Sequence, residues 1–150
     1  MNVKIKTNNQ SLFKHCEDDV GYDLSANEAV VIKPKQRKLV STGVYIDMRD
    51  SLMSDYLTIE AQIRPRSGLA HEYGMMIVNS PGTIDTSYTG ELKVNLYNSG
   101  QQTIRISKGT RIAQLVFNLV PKIEFEFVSE FKELKESDRG ERGHGSSGTF

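Results

Sequence analysis

The stretch NSPGTIDTSYTGELKVNLYN, Asn79 to Asn98, decides the fold. It opens on a turn cluster, Asn79-Ser80-Pro81-Gly82, and closes on an alternating run. Leu92, Val94 and Leu96 fall on one face and Lys93, Asn95 and Tyr97 on the other, the two-residue period of a strand with one buried face. Between them lie Ile84-Asp85 and Tyr88-Thr89-Gly90. A carboxylate and an aromatic ring are thereby set in a tight loop that a strand anchors.

The same period recurs along the chain. Val3 to Lys6 predicts a short strand, as do Ala29 to Ile32 and Thr103 to Ile106, and Met75 to Val78 is an apolar run that leads into the Asn79 stretch. Val44, Ile46 and Met48 alternate with polar neighbours, and so do Leu57, Ile59, Ala61 and Ile63. Arg111 to Val120 is almost continuously apolar, the pattern of a strand covered on both sides. Ile123, Phe125 and Phe127 alternate with Glu124 and Glu126 and predict one more strand. About ten short strands divided by Gly and Pro turns, with almost no helical period, predict an all-β jelly roll or distorted barrel. Ser67 is expected to cap the one short helix, ending near Tyr73. Residues 1–132 read as one barrel domain. Residues 133–150 turn to charge, Gly and Ser and read as a flexible arm.

Composition narrows the partners. With 19 basic and 19 acidic residues the net charge is zero, which argues against a broad electrostatic hold on nucleic acid or on a membrane. Cys16 is the sole cysteine, so no internal disulfide framework is expected and a reducing, cytoplasmic setting is the simpler reading. The opening MNVKIKTNNQ lacks the apolar centre of a secretory leader, and no run reaches membrane-spanning length.

Several segments carry candidate chemistry. Arg66-Ser67-Gly68 offers a guanidinium, a hydroxyl and bare backbone at a helix start, all suited to phosphate. Taken alone, it reads more readily as a surface turn with a paired arginine. Arg139 to Gly148, RGERGHGSSG, places glycines whose N–H groups can converge on an anion; by composition it is equally a mobile tail. Asp23 and Asp85 are carboxylates in expected Gly-containing turns, where together they could serve a Mg²⁺ site and a base. Acids in turns also commonly bond their own backbone. Gln114, an amide inside an apolar run, needs partners, either structural or ligand. His15 and His71 show no metal-ligand spacing, and nothing beside Cys16 activates its thiol.

GYDLSA, PRSGLA, NSPGTIDTSYTGE, RIAQLVF and RGERGHGSSG, in this order from Gly21 to Gly148, resemble the five motifs of the trimeric dUTPases. The resemblance implies a jelly-roll subunit, a homotrimer with sites between subunits, Mg²⁺ dependence, and cleavage of dUTP to dUMP and diphosphate. It implies that Asp85 activates the water that attacks the α-phosphorus, and that Tyr88 lies against the deoxyribose and excludes a 2′-hydroxyl. Asn79 and the Thr83-Ile84-Asp85 backbone resemble the hairpin that reads uracil, with Lys93 nearby. Arg66, Ser67, Gly68 and Gln114 match phosphate contacts, and Asp23 an acid that holds Mg²⁺ through water. Arg139, His144, Gly145 and Ser146 match the arm that closes over the γ-phosphate. His144 stands where the family commonly has Phe, so the resemblance implies an imidazole at the position that stacks on uracil, with less stacking area. Two rivals stand beside this reading. One is a dCTP deaminase of the same fold, whose catalytic Glu would fall near Asn95. The other is a non-catalytic trimeric binding or regulatory protein.

Overall fold

Strand pairing, not helix packing, builds this chain. In the computed structural model the described residues are 2–7, 12–51, 54–130, 137 and 140. Eleven strands are described: β1 (Lys4–Thr7), β2 (Leu12–Phe13), β3 (Tyr22–Ser25), β4 (Val30–Ile32), β5 (Arg37–Asp47), β6 (Leu57–Arg64), β7 (Met75–Ile77), β8 (Gly82–Ile84), β9 (Glu91–Asn98), β10 (Ile104–Ile106) and β11 (Arg111–Pro121). One helix, α1 (Ser67–Tyr73), links β6 to β7. The strands form antiparallel sheets in the orders β1-β5-β9-β7 and β2-β3-β11-β6-β8, with a separate β10-β4 pair. Neighbours are mostly far apart in sequence, as the expected jelly roll requires.

Alternation does what the sequence pattern predicts. Leu92, Val94 and Leu96 of β9 are fully buried, and Ile59, Ala61 and Ile63 of β6 face the same core. Each large aliphatic chain so buried contributes roughly 1.5–3 kcal/mol of transfer free energy. The buried side chain of Asn98 is satisfied within the fold. Its amide donates to the carbonyls of Ile32 and Gln102 at 3.0 and 2.8 Å, and its oxygen accepts from Gly100 N–H at 3.0 Å. That fixes the turn after β9. Gly74 ends α1 at φ 64°, the left-handed conformation that Gly adopts at no steric cost.

Some expectations are corrected. Helix α1 ends at Tyr73 as predicted, but Ser67 is its first residue rather than its cap; Arg66 holds the cap position, and no side chain caps the helix. Asp23 lies within β3 and is buried, not in a turn, because Tyr22 to Ser25 pairs with β11. β11 is covered on both sides only in its first half; Leu119 is 49% exposed. Ile123, Phe125 and Phe127 form no strand, being 64, 78 and 94% exposed. Beyond Pro121 none of the described sheet edges takes that segment. The arm expected over 133–150 lies, apart from Ser137 and Gly140, outside the described residues.

Candidate active site

Strand register gathers three of the five motifs. Gln114 of β11 stands opposite Asp23 of β3 on one side and opposite Arg64 of β6 on the other. Arg66 follows two residues past the end of β6. Two adjoining cavities of about 270 and 290 Å³ open here, and both are lined by Arg66 and Gln114. The first adds Ser67, Gly68 and Glu72; the second adds Asp23, Arg111, Gly21 and His15. Gly68 has no heavy atom within 4 Å of where a Cβ would stand, so the start of α1 is open to a ligand. A Cβ on Gly21 would stand 3.3–3.4 Å from the Gln114 side chain, so this glycine lets the amide lie close against β3. Among the described residues the Gln114 amide makes no hydrogen bond, and it is free to meet one.

Asp23 is the charge centre of this end. Its side chain is 8% exposed and faces two guanidiniums. Arg111 Nη1 donates to Oδ2 at 3.1 Å. Arg66 Nε lies 2.9 Å from Oδ1 but off the hydrogen-bonding direction, so the attraction is electrostatic and Oδ1 keeps an unused lone pair. Arg66 is held further by donating from Nη1 to the carbonyl of Arg111 at 3.2 Å. The Arg111 guanidinium also stands 6.0 Å from the Phe13 ring centroid. Arg64, by contrast, spends its guanidinium on Gln62 Oε1 at 3.0 and 2.7 Å. The sequence reading missed Arg111. The RIAQ motif contained it, but only the register of β3 against β11 places it beside Asp23.

The third motif forms a separate cluster. Asp85 follows β8 directly, and Tyr88 N–H donates to the Asp85 carbonyl at 3.0 Å, closing a turn. The Asp85 carboxylate is exposed and accepts no hydrogen bond among the described residues, so it does not spend itself on its own backbone. Tyr88 folds back and donates from its hydroxyl to the Glu91 carbonyl at 2.9 Å. Asn79 Nδ2 lies 3.1 Å from where a Cβ on Gly82 would stand, so this glycine leaves room for the Asn79 side chain at the start of β8. Lys93 is half-exposed, with Nζ 3.6 Å from Glu91. Burial alone would raise the Glu91 carboxyl; donation from the Ser41 hydroxyl and Gly43 N–H, with Lys93 nearby, outweighs it and holds the group below the usual carboxylate range.

Register also separates the two clusters. Ile84 stands opposite Ala61, three residues along β6 from Arg64 and one strand removed from β11. With about 3.3 Å per residue and 4.8 Å per strand, the Asp85 backbone lies roughly 16 Å from that of Gln114 and roughly 20 Å from that of Arg66 in the same chain.

The family model for dUTPase matches residues 8–148. The chain belongs to the dUTPase family. Relatives named deoxyuridine 5′-triphosphate nucleotidohydrolase include one from Clostridium kluyveri, 47% identical over 134 residues, covering 89% of this chain and 87% of the relative. Another, from Cytophaga hutchinsonii, is 44% identical over 97% of this chain and 91% of its own. A solved dUTPase of Staphylococcus bacteriophage 80alpha, a G164S mutant with dUpNHpp, superposes with a TM-score of 0.81 at 25% identity, covering 98% of both chains. For this dUTPase, the Asp23, Arg66, Ser67, Gly68 and Gln114 expectations fall at one end of a sheet; Asn79 lies just before β8, Thr83 and Ile84 in β8, Asp85 and Tyr88 in the turn after it and Lys93 in β9, and the hairpin expected there is not formed by β8 with β9, because β8 pairs with β6 and β9 with β5 and β7. Arg139, His144, Gly145 and Ser146 lie outside the described residues. A larger cavity of about 600 Å³, between α1 and β10, holds none of the residues predicted for the site.

Proposed function

We propose that this dUTPase hydrolyses dUTP to dUMP and diphosphate. This keeps uracil out of DNA and supplies dUMP for thymidylate synthesis. The observation that carries the reading is the exposed, uncommitted carboxylate of Asp85 in a turn closed by Tyr88. Asp85 accepts a proton from water as the water oxygen attacks the α-phosphorus, and diphosphate leaves in line. Tyr88 walls the sugar. Asn79 with the Thr83-Ile84-Asp85 backbone reads the uracil edge, with Lys93 beside it. Hydrogen-bond mismatch there filters on the order of 10⁴-fold, against ~10–200-fold for a methyl. Arg66, Ser67, Gly68 and Gln114 bind the phosphates.

The separation of Asp85 from Arg66 within one chain supports a site assembled between copies, and hence the homotrimer. Exposed apolar side chains support it too: Leu39, Met76 and Val78 on the outer face of the β5-β9-β7 sheet, and Ile123, Phe125 and Phe127 beyond β11. Mg²⁺ fits the phosphate end in an outer role. The unused lone pair on buried Asp23 Oδ1, on a 290 Å³ cavity, can accept from a metal-bound water, and the phosphates would hold the ion itself. When bound, the ion offsets charge on the leaving diphosphate. Residues 133–150 are proposed as an arm that closes the site through Arg139, His144, Gly145 and Ser146. The lone, exposed Cys16 supports a reducing, cytoplasmic setting.

A nucleotide panel with Mg²⁺ tests this. Diphosphate from dUTP alone, with oxygen from labelled water recovered in dUMP, is the expected result. Ammonia from dCTP would establish deamination instead, and no turnover of any nucleotide would leave a binding protein. Label in the diphosphate would put attack at the wrong phosphorus.

A further inference from the structure

We propose that Gly90 is a specificity-determining residue, because its missing side chain is the seat on which the Tyr88 ring rests. A Cβ built on Gly90 would stand 2.5 Å from the Tyr88 hydroxyl oxygen, 2.7 Å from Cζ and 3.1 Å from Cε2. Carbon atoms do not approach so closely, so any other residue here displaces the ring. The backbone is not the reason for the glycine. Gly43, Gly74, Gly109 and Gly140 have positive φ, whereas Gly90 does not, and its conformation is open to alanine. What the position requires is space.

The seat is built on fixed ground. The Tyr88 hydroxyl donates to the Glu91 carbonyl at 2.9 Å, so the ring bridges Gly90 and is pinned at its far end. Glu91 is itself held by its side chain, which accepts from the Ser41 hydroxyl and from Gly43 N–H at 2.9 Å on the neighbouring strand. Tyr88 is otherwise 43% exposed. Gly90 thus sets how far the ring leans into the space beside Asp85, and so whether a 2′-hydroxyl fits there.

This rests on the reading of Tyr88 as the wall against the sugar, and the test separates the two. The quantity measured is the ratio of kcat/KM for dUTP to that for UTP, in wild type, Gly90→Ala, Tyr88→Ala and the double variant, each checked by thermal melting. Gly90→Ala is expected to lower the ratio on the order of 10- to 100-fold, the scale on which small misplacements act. Tyr88→Ala should lower it at least as far, and adding Gly90→Ala to it should do nothing more, since no ring remains to displace. Tyr88→Phe, which removes only the anchor to Glu91, should cost roughly two- to tenfold. If Gly90→Ala keeps the ratio within about twofold of wild type while Tyr88→Ala loses it, the wall stands and the seat is refuted. If Tyr88→Ala keeps the ratio, the wall itself falls and the seat with it. Should Gly90→Ala fail to fold, recovery of folding by the added Tyr88→Ala reads the same clash; a double variant that also fails to fold overturns the proposal.

Discussion

Replacing Arg111 by alanine isolates the charge centre at the phosphate end. Two cations share the carboxylate of Asp23, and Arg111 is the one that makes a directed hydrogen bond, Nη1 to Oδ2 at 3.1 Å. The guanidinium is 43% exposed but its partner only 8%. A fully exposed pair contributes about 0–1 kcal/mol, and breaking a buried one costs about 3–5 kcal/mol. This pair lies between, so Arg111→Ala should destabilise by about 1–3 kcal/mol, part of it from lost contact with Phe13. Arg66 keeps its bond to the residue-111 carbonyl and its approach to Asp23, so the variant should still bind triphosphate, with KM raised less than in Arg66→Ala. Chemical denaturation at fixed protein concentration gives the first number and steady-state kinetics the second. Adding Asp23→Asn closes a double-mutant cycle, in which Arg111→Ala should cost much less once the carboxylate is gone. Equal cost in both backgrounds, or a wild-type-like midpoint for Arg111→Ala, would refute the account.

Other outcomes follow from the same geometry. Asp85→Asn should reduce kcat about 10²–10⁴-fold while shifting stability by less than about 0.5 kcal/mol, because the side chain is exposed and unbonded among the described residues; diphosphate release and thermal melting measure both, and full activity would remove Asp85 as the base. Deleting residues 139–150 should abolish most turnover and leave the melting temperature of the barrel unchanged, whereas unaltered kinetics would reject a closing arm. Glu91 has a folded pKa below its ordinary value, so its contribution to stability is present above about pH 4.5 and disappears as pH falls through the folded pKa. Glu91→Gln should therefore be less stable than wild type at pH 7, with the gap narrowing below pH 4.5; a gap independent of pH would show that the Ser41 and Gly43 bonds do not favour the charged form.

What the sequence disclosed was what is local. The alternation of Leu92, Val94 and Leu96 in β9, and of Ile59, Ala61 and Ile63 in β6, names the buried face residue by residue, because a strand's period is a property of its own backbone. Helix α1 was visible in its Gly and Ser start and its end at Tyr73, but not its cap, since Ser67 and Arg66 differ by one position and only backbone angles separate them. Ile123, Phe125 and Phe127 have a strand's period without a strand, because pairing is not written in the segment that seeks it. The site follows the same rule. Asp85 and Tyr88 share one turn and could be read together. Arg111 and Asp23 are 88 residues apart in sequence and meet only through the register of β3 on β11, and the stretch between them gives no sign of it. Gly90 is a different case. A glycine in a loop ordinarily suggests a backbone need, and here it is the ring two residues earlier that requires it. The separation of Asp85 from Arg66 is of the same kind. Motifs that follow one another in sequence fall into two clusters roughly 15–20 Å apart in one chain, because strand register and not motif order sets their distance, and the site between copies is proposed on that separation.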